Sequence, residues 1–265
     1  MDVTTGSFRH AFSLQLNVIG ALVLRELQGR FGRNNIGYLW MVGEPMMLAT
    51  VISSLHAVSL TGGAESGMAP FPFTLLGYCL FIIFRNNFNR GDHMLEASTP
   101  LLYHSMIKPL DIIISKWIVD VVGPISSLIL LMAVGVALGI ADLPVRPLYI
   151  FLAAALMSWL TLGMCMIVAA YTYESHFLSR FVHPFSYFMV PLSGAFVTMD
   201  FLPRWAQKFM AWNPMMSIFE LARYGQFETA SDKHFSFQFV LATCAITSYW
   251  GLIAVRRVRS RIHVY

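Results

Sequence analysis

Residues 147–173 read PLYIFLAAALMSWLTLGMCMIVAAYTY, 27 consecutive positions without Asp, Glu, Lys or Arg. An apolar stretch of about 20 residues is long enough to cross the hydrocarbon core of a bilayer as a helix. Five further charge-free windows of at least 19 residues occur, at 45–64, 66–84, 121–141, 181–199 and 234–255. The six windows cover nearly half of the 265 residues, which leaves no room for a separate soluble catalytic domain. The sequence therefore predicts an all-α membrane protein with six transmembrane helices.

The composition excludes several other classes of protein. A soluble domain contains about 25% charged residues, whereas this chain contains 12%. Its net charge of +4 comes from arginines in the predicted loops, so no nucleic-acid partner is expected. Cys79, Cys165 and Cys244 lie singly inside the windows, without the spacing of a metal site. None of the four lysines follows a glycine, which excludes the phosphate-binding loop GxxxxGK[ST]. We therefore expect no catalytic residue, metal or cofactor in this chain.

The basic residues predict how the chain is oriented. If the N-terminus is cytoplasmic, six crossings leave inside the segments 1–35, 85–120, 174–181 and 256–265, which hold 13 of the 18 Lys and Arg residues. Cytoplasmic loops of membrane proteins carry such an excess of positive charge. We therefore expect both termini in the cytoplasm. The predicted division is an interfacial helix over 1–35, a transmembrane domain over 36–255 and a basic tail over 256–265.

Three segments outside the windows have patterns of their own. Over 8–33, apolar residues recur every three or four positions, which predicts an amphipathic interfacial helix: Phe12, Leu16, Ile19, Val23 and Leu27. Residues 92–110 form a cytoplasmic loop between the second and third spans, long enough for a short helix, with Pro100 and Pro109 as turn signals. Residues 200–235 are too interrupted by proline for a span, so short re-entrant helices are expected there, on the periplasmic side between the fifth and sixth spans.

Three ordered stretches carry a resemblance to a known family. Residues 24–45 read LRELQGRFGRNNIGYLWMVGEP, residues 98–111 read STPLLYHSMIKPLD, and residues 189–203 read MVPLSGAFVTMDFLP. The pair Asn213-Pro214 also fits. Together with six predicted spans, these stretches resemble the capsule polysaccharide export permeases of Gram-negative bacteria, which are ABC transporter permeases of the type 2 exporter fold.

The resemblance implies an assembly of several proteins. It implies a homodimer of permeases in the inner membrane, with two copies of a separate ABC ATPase subunit that binds ATP and Mg. It also implies a periplasmic co-polymerase adaptor and an outer-membrane polysaccharide channel. The cargo would be a lipid-linked capsular polysaccharide, and the chain itself would hydrolyse nothing.

The residues and the resemblance together indicate three groups of functional residues. Contacts with the ATPase are expected in the N-terminal helix and in the loop over 92–110, as a coupling helix: Arg25, Glu26, Arg30, Leu101, Leu102, Tyr103, His104 and Lys108. The channel and its inner mouth are expected at Arg33, Tyr38, Trp40, Glu44, Arg85, Arg90, Phe181, His183, Phe185, Tyr187 and Phe188. The periplasmic exit is expected at Arg204, Trp205, Lys208 and Trp212.

Each group also has a plainer interpretation. The arginines fit positive-inside anchoring, and the aromatic side chains fit ordinary packing or an interfacial belt. His183 fits a buried, hydrogen-bonded histidine. Glu44 precedes Pro45 in the first window, where a charge usually faces a bundle interior or a wet cavity, but it also fits a side chain that reaches the head groups.

Two other functions stay open at this point. One is a permease that exports lipid-linked O-antigen or teichoic acid with a different ATPase partner. The other is a self-sufficient secondary carrier, which would want several carboxylates within the membrane. Such carboxylates are scarce here: Glu44 is the clearest, and Asp120 lies at the edge of a window.

Overall fold

The structure, a computed structural model, describes residues 3–31, 43, 47, 50–51, 68–102 and 107–262. Within these ranges the chain is helical and contains no strand, as predicted. Ten α-helices have both ends there: α1 (Val3–Phe31), α2 (Pro70–Gly91), α3 (Met94–Ala97), α4 (Thr99–Leu102), α5 (Pro109–Ala137), α6 (Pro147–Glu174), α7 (His176–Ser193), α8 (Arg204–Met210), α9 (Pro214–Gln226) and α10 (Phe237–Ile262). Two short 3-10 helices, Met199–Phe201 and Asp232–His234, flank α8 and α9.

Three segments of the described ranges are long and apolar enough to cross a membrane: Pro109–Ala137, Pro147–Glu174 and Asp232–Val258. Helices α2 and α7 fall in two further predicted windows, but α2 includes Arg85 and Arg90, and α7 includes two histidines, an arginine and two prolines. Most of the first window, 45–64, lies outside the described residues. Six crossings therefore stay a prediction.

Proline marks the start of most long helices. Pro70, Pro109, Pro147 and Pro214 stand in the first turn of α2, α5, α6 and α9. Proline is suited to this position because the first helical N–H groups have no partner within the helix. The end of α7 has the complementary signal: Gly194 follows it with a φ of 79°, the left-handed conformation that glycine adopts without strain.

Helix α6 lies at the centre of the bundle, where it packs against α10, α2 and α9. The contact with α10 is close because both helices present glycine. A Cβ atom on Gly163 would lie 2.7 Å from Thr247 Oγ1 and 2.9 Å from Ser248 N, and one on Gly251 would lie 2.9 Å from Gly163 O. Small residues let helix backbones approach in this way in membranes, where van der Waals packing drives association.

Helix α1 packs against α5, with Val18 and Leu22 in a cluster that also contains residues of α3 and α5. The predicted amphipathic stripe does not form this contact, because Phe12 and Leu16 are exposed. Because successive residues of an α-helix are rotated by about 100°, the centre of the predicted stripe lies roughly 100° around the helix axis from the face that packs on α5. Ile19, Val23 and Leu27 are half-buried, so only the N-terminal part of the stripe is uncovered in the single chain.

The two ends of the bundle carry different short helices. Helix α2 runs between them and leads into the loop that contains α3 and α4; residues 103–106 of this loop lie outside the described ranges. The opposite end holds α8, α9 and the 3-10 helix Met199–Phe201, where short re-entrant helices were expected. We call these the α3–α4 end and the α8–α9 end. The residues expected to form a basic tail begin inside α10, which continues to Ile262.

Candidate functional site

Four charged side chains from three helices meet at the α3–α4 end. Arg30 donates to Glu26 Oε1 at 2.7 Å and to Asp120 Oδ1 at 2.6 Å. Arg90 Nε lies 2.8 Å from Asp120 Oδ2 without the alignment of a hydrogen bond, and Arg90 Nη1 lies 3.5 Å from Glu26 Oε1. The Asp120 side chain is only 1% exposed. We call Glu26, Arg30, Arg90 and Asp120 the ionic cluster.

The ionic cluster fastens α1 to the end of α2 and to the middle of α5. A buried carboxylate is stable only when it is paired, and Asp120 has two arginines. A further polar contact joins α1 and α5, because the amide of Gln15 donates to the carboxylate of Asp111 on α5. Glu26, Arg30 and Arg90 were predicted to contact a partner or a cargo. The structure places them in contacts within the chain, and their contacts with a partner or a cargo stay predictions.

The other residues predicted to contact the ATPase differ in exposure. Arg25 and Lys108 are exposed and Leu101 is half-buried. Leu102 is buried in the cluster that includes Leu22, so it supports the position of the loop. The exposed surface of α3 and α4 consists of other residues: Glu96, Ala97 and Pro100. Tyr103 and His104 lie outside the described residues.

A polar network connects this loop with the start of α7. Ser179 donates to Asp92 Oδ2 at 2.9 Å, and the same hydroxyl lies 2.9 Å from His93 Nε2. The other ring nitrogen of His93 lies 2.9 Å from Glu96 Oε2. That hydrogen bond, with the nearby charge of Asp92, raises the pKa of His93, and it lowers the pKa of Glu96. His183 is exposed, 3.9 Å from Asp92 Oδ2, so its interpretation as a buried histidine is wrong.

Helices α2 and α7 share a row of aromatic side chains. Phe84 and Phe88 stack along α2 with ring centroids 5.3 Å apart, and Phe88 meets Phe185 of α7 at 5.4 Å. The Arg85 guanidinium lies over the Tyr187 ring, 4.4 Å from its centroid. Such a cation–π contact holds the arginine in place and leaves its remaining donors available.

The predicted channel residues of α7 lie on the outside of the single chain. The side chains of Phe181, Phe185, Tyr187 and Phe188 are all exposed. A helix with this many uncovered aromatic rings has a surface available for lipid, a second chain or a cargo. Four other predicted channel residues lie outside the described ranges: Arg33, Tyr38, Trp40 and Glu44.

The predicted exit residues lie together on and beside α8. Trp205 and Trp212 are 76% and 82% exposed, and Arg204 and Lys208 are exposed beside them. Ala206 and Met210 form the buried side of the same helix. Exposed tryptophan next to basic residues is typical of a segment at the membrane interface.

Sequence reasoning missed a buried arginine at the α8–α9 end. The Arg223 side chain is 2% exposed. It donates to one carboxylate and three carbonyls: Glu220 Oε1 (2.8 Å), Gly194 O (2.6 Å), Ala195 O (3.0 Å) and Val197 O (3.0 Å). Glu220 Oε1 also accepts from Met199 N at 3.1 Å. Arg223 therefore fixes the turn after α7 to α9. The only signal in the sequence is a Glu–Arg pair three residues apart, which usually lies on a helix surface.

Comparison with known proteins identifies the family. The sequence profile described as ABC-2 type transporter matches residues 17–227. The chain belongs to this family, so the resemblance found in its sequence is confirmed.

Three relatives match over most of their length. The chain is 31% identical over 221 residues to the capsule polysaccharide export inner-membrane protein CtrC of Neisseria meningitidis serogroup B, covering 83% of each chain. It is 30% identical over 255 residues to the capsule polysaccharide export inner-membrane protein BexB of Haemophilus influenzae, covering 96% of this chain and 95% of the relative. It is 25% identical over 255 residues to the polysialic acid transport protein KpsM of Escherichia coli, covering 94% and 96%.

Proposed function

We propose that the chain is the permease subunit of an ATP-driven exporter that moves lipid-linked capsular polysaccharide across a bacterial inner membrane. The observation that carries the proposal is the similarity, over nearly the whole chain, to relatives named for capsule polysaccharide export. In this proposal two copies of the chain form the channel, both termini are cytoplasmic, and ATP and Mg bind to two copies of a partner ATPase. A periplasmic adaptor and an outer-membrane channel would receive the polymer.

The aromatic surface of α7 supports this choice of cargo. Sugar rings have apolar C–H faces that contact aromatic rings without hydrogen bonds that would stop a moving polymer. Phe181, Phe185 and Phe188 provide such rings on the outside of the chain, where a second copy would enclose them. Arg85, held over Tyr187, adds a positive charge that favours an acidic polymer.

The ionic cluster supports the proposed coupling to an ATPase. A partner without a covalent link must move the spans by pushing on a rigid surface. Helix α1 and the α3–α4 loop share one buried cluster, and Arg30 and Arg90 tie α1 to α5 and α2. A force applied to Arg25, Pro100 or Lys108 on the exposed surface would therefore reach the spans directly.

The exit residues support a contact at the other face of the membrane. In the proposed orientation the α8–α9 end is periplasmic, where Trp205 and Trp212 would lie among the head groups or against the adaptor. Arg223 would hold the turn after α7 in place while the polymer passes.

The first experiment asks whether the chain works with an ATPase. The permease would be produced together with a candidate ABC ATPase of the same organism, reconstituted in proteoliposomes and assayed for ATP turnover with capsular glycolipid and with O-antigen lipid. A stable complex that capsular glycolipid stimulates supports the proposal. Stimulation by O-antigen lipid alone favours the other exporter class, and a permease that binds no ATPase contradicts both.

The aromatic surface can be tested in the same assay with a matched pair of variants. Phe188→Ala removes an exposed ring from α7, and Phe151→Ala removes an equally exposed ring from α6. An aromatic contact contributes about 0.5–1.5 kcal/mol, so Phe188→Ala should weaken glycolipid stimulation roughly 2- to 12-fold. ATPase association should be unchanged, and Phe151→Ala should behave as the parent. Equal effects of the two substitutions would contradict a role of α7 in the channel.

A further inference from the structure

A polar pocket lies between α1, the α3–α4 loop and α5. Its volume is about 250 Å³, and its lining comes from all three elements, including Arg25, Gly29, Ser98 and Lys116. At about 30 Å³ for each molecule of liquid water, it has room for roughly eight waters. This is enough space for a phosphate group with a small alcohol attached.

The charges on the pocket wall are unbalanced toward positive. Arg25 and Lys116 both line it, and among the residues that the structure describes neither forms an ion pair. Lys116 Nζ donates to Ser98 Oγ at 3.2 Å, a neutral partner. Glu26 also lines the pocket, but its carboxylate is engaged by Arg30 at 2.7 Å and Arg90 at 3.5 Å. Two cations are therefore left to bind an anion.

The pocket lies at the depth of lipid head groups. Helix α5 has 29 residues and is therefore about 44 Å long, against about 30 Å for the hydrocarbon core. About 7 Å of helix remains at each end if the excess is shared equally. Lys116 lies seven residues after Pro109, about 10 Å along the helix, close to the boundary between head groups and hydrocarbon. A lysine at this depth extends its ammonium group toward phosphate.

We propose that this pocket binds a phosphate group, carried by an anionic lipid of the surrounding leaflet or supplied as free phosphate. Arg25 and Lys116 donate to the phosphate oxygens from α1 and α5, and the Ser98 hydroxyl extends the site to the α3–α4 loop. The ligand thus bridges the three elements and stabilises the docking of α1. The site does not depend on the identity of the cargo, and its test contains no ATPase, although Arg25 is also one of the residues proposed to face the ATPase.

Gly29 offers a way to close the pocket without changing its charge. The pocket residues of α1 follow one another at intervals of three, one and three positions, so they lie on one face of the helix: Leu22, Arg25, Glu26 and Gly29. A Cβ atom on Gly29 would meet nothing within 4 Å, so a longer side chain can enter the pocket. Gly20 provides a matched control, because its Cβ would also meet nothing and it does not line the pocket.

The test uses the full-length chain in phosphatidylcholine nanodiscs. The midpoint of thermal unfolding is measured as phosphatidylglycerol replaces part of the phosphatidylcholine, and separately with inorganic phosphate. Ligand that binds only the folded state raises this midpoint. We expect phosphatidylglycerol to raise it in the parent, and the shift to fall by more than half in Gly29→Met and in Lys116→Gln. Gly20→Met and Lys233→Gln, an exposed lysine in the 3-10 helix Asp232–His234, should keep the shift.

The two ligand sources give different results. A shift with phosphatidylglycerol alone identifies a lipid, and an equal shift with inorganic phosphate, lost in the same variants, identifies free phosphate. If Gly29→Met does not fold, Arg25→Gln replaces it. The proposal is overturned if neither ligand shifts the parent, if Lys116→Gln keeps the full shift, or if Lys233→Gln loses as much as Lys116→Gln.

Discussion

Replacement of Asp120 by asparagine tests whether the ionic cluster holds α1, α2 and α5 together. The substitution keeps the size of the side chain and removes its charge. Arg30 and Arg90 then lose the carboxylate that lies within 2.6 and 2.8 Å of them. Glu26 stays as their acidic partner, at 2.7 and 3.5 Å.

The loss of stability in Asp120→Asn depends on how deeply Asp120 and its two arginines are buried. Removing one partner of a buried ion pair costs about 3–5 kcal/mol, because the other charge is left uncompensated. Arg30 and Arg90 are 17% and 36% exposed and keep Glu26, so the cost lies below that range, at about 2–3 kcal/mol. This corresponds to a roughly 30- to 140-fold change in the unfolding equilibrium.

The assay is reversible unfolding in mixed micelles as the mole fraction of SDS rises, followed by tryptophan fluorescence. Trp117 is a suitable reporter because its indole N–H donates to Ser158 O at 2.9 Å and so connects α5 with α6. Asp200→Asn is the matched control: this aspartate is 64% exposed and pairs only with His234 among the described residues. Exposed pairs contribute about 0–1 kcal/mol.

A double-mutant cycle with Arg90→Gln separates the pair from other effects. Residues in one ionic network show coupling of about 0.5–3 kcal/mol. If Asp120→Asn destabilises the protein no more than Asp200→Asn, or if the two substitutions at Asp120 and Arg90 are additive, the ionic cluster does not hold the three helices.

Three further predictions concern other contacts. Gly163→Ala should destabilise the protein by about 1–3 kcal/mol because the new methyl group forces α10 away, whereas the control Gly20→Ala should stabilise it by up to about 1 kcal/mol. Equal effects of the two substitutions in the same unfolding assay would contradict close packing of α6 and α10. Arg223→Lys should lower the free energy of unfolding by about 2–4 kcal/mol, because an ammonium group cannot reach the four acceptors that the guanidinium reaches. A variant with parental stability would show that Arg223 does not hold the turn after α7. An NMR titration of His93 should give a pKa above the ordinary histidine value of about 6.5. The stabilisation from its pairing with Glu96 is therefore present below a pH of about 6.5 and is lost as the pH rises through the raised pKa. Glu96→Gln should lower the pKa of His93, and an unchanged titration would show that the pairing is absent.

The apolar windows predicted a helix well where the charged residues that bound the window also stand at the ends of the helix. The window 147–173 matches α6, Pro147–Glu174, almost residue for residue. The window 121–141 missed the first twelve residues of α5, because Asp111, Lys116 and Asp120 interrupt it. These charges are compatible with the helix because Asp111 accepts from Lys108 N and Asp120 pairs with arginines from other helices. Pairing between distant segments cannot be seen in a local window.

The candidate site was predicted in the same uneven way. Exposed aromatic and basic residues on α7 and α8 were identified from the local pattern and the resemblance, and they lie on the surface. Glu26 and Arg30 were identified as charged residues on a helix, but their contact with Asp120 depends on how α1 docks. The local Glu–Arg spacing does not indicate that Arg223 is buried, because its three carbonyl acceptors belong to a turn about 26 to 29 residues earlier in the chain.

The ionic cluster also bears on the order in which the chain enters the membrane. A charged residue at the centre of a transmembrane helix costs about 2.5–3.5 kcal/mol to insert on biological scales. Asp120 is the twelfth of the 29 residues of α5, whereas Arg30 and Arg90 are synthesised before it. Both counter-ions are therefore already at the membrane when this carboxylate leaves the ribosome. When the chain is inserted from its N-terminus, Asp120 can therefore pair with arginines that were synthesised before it.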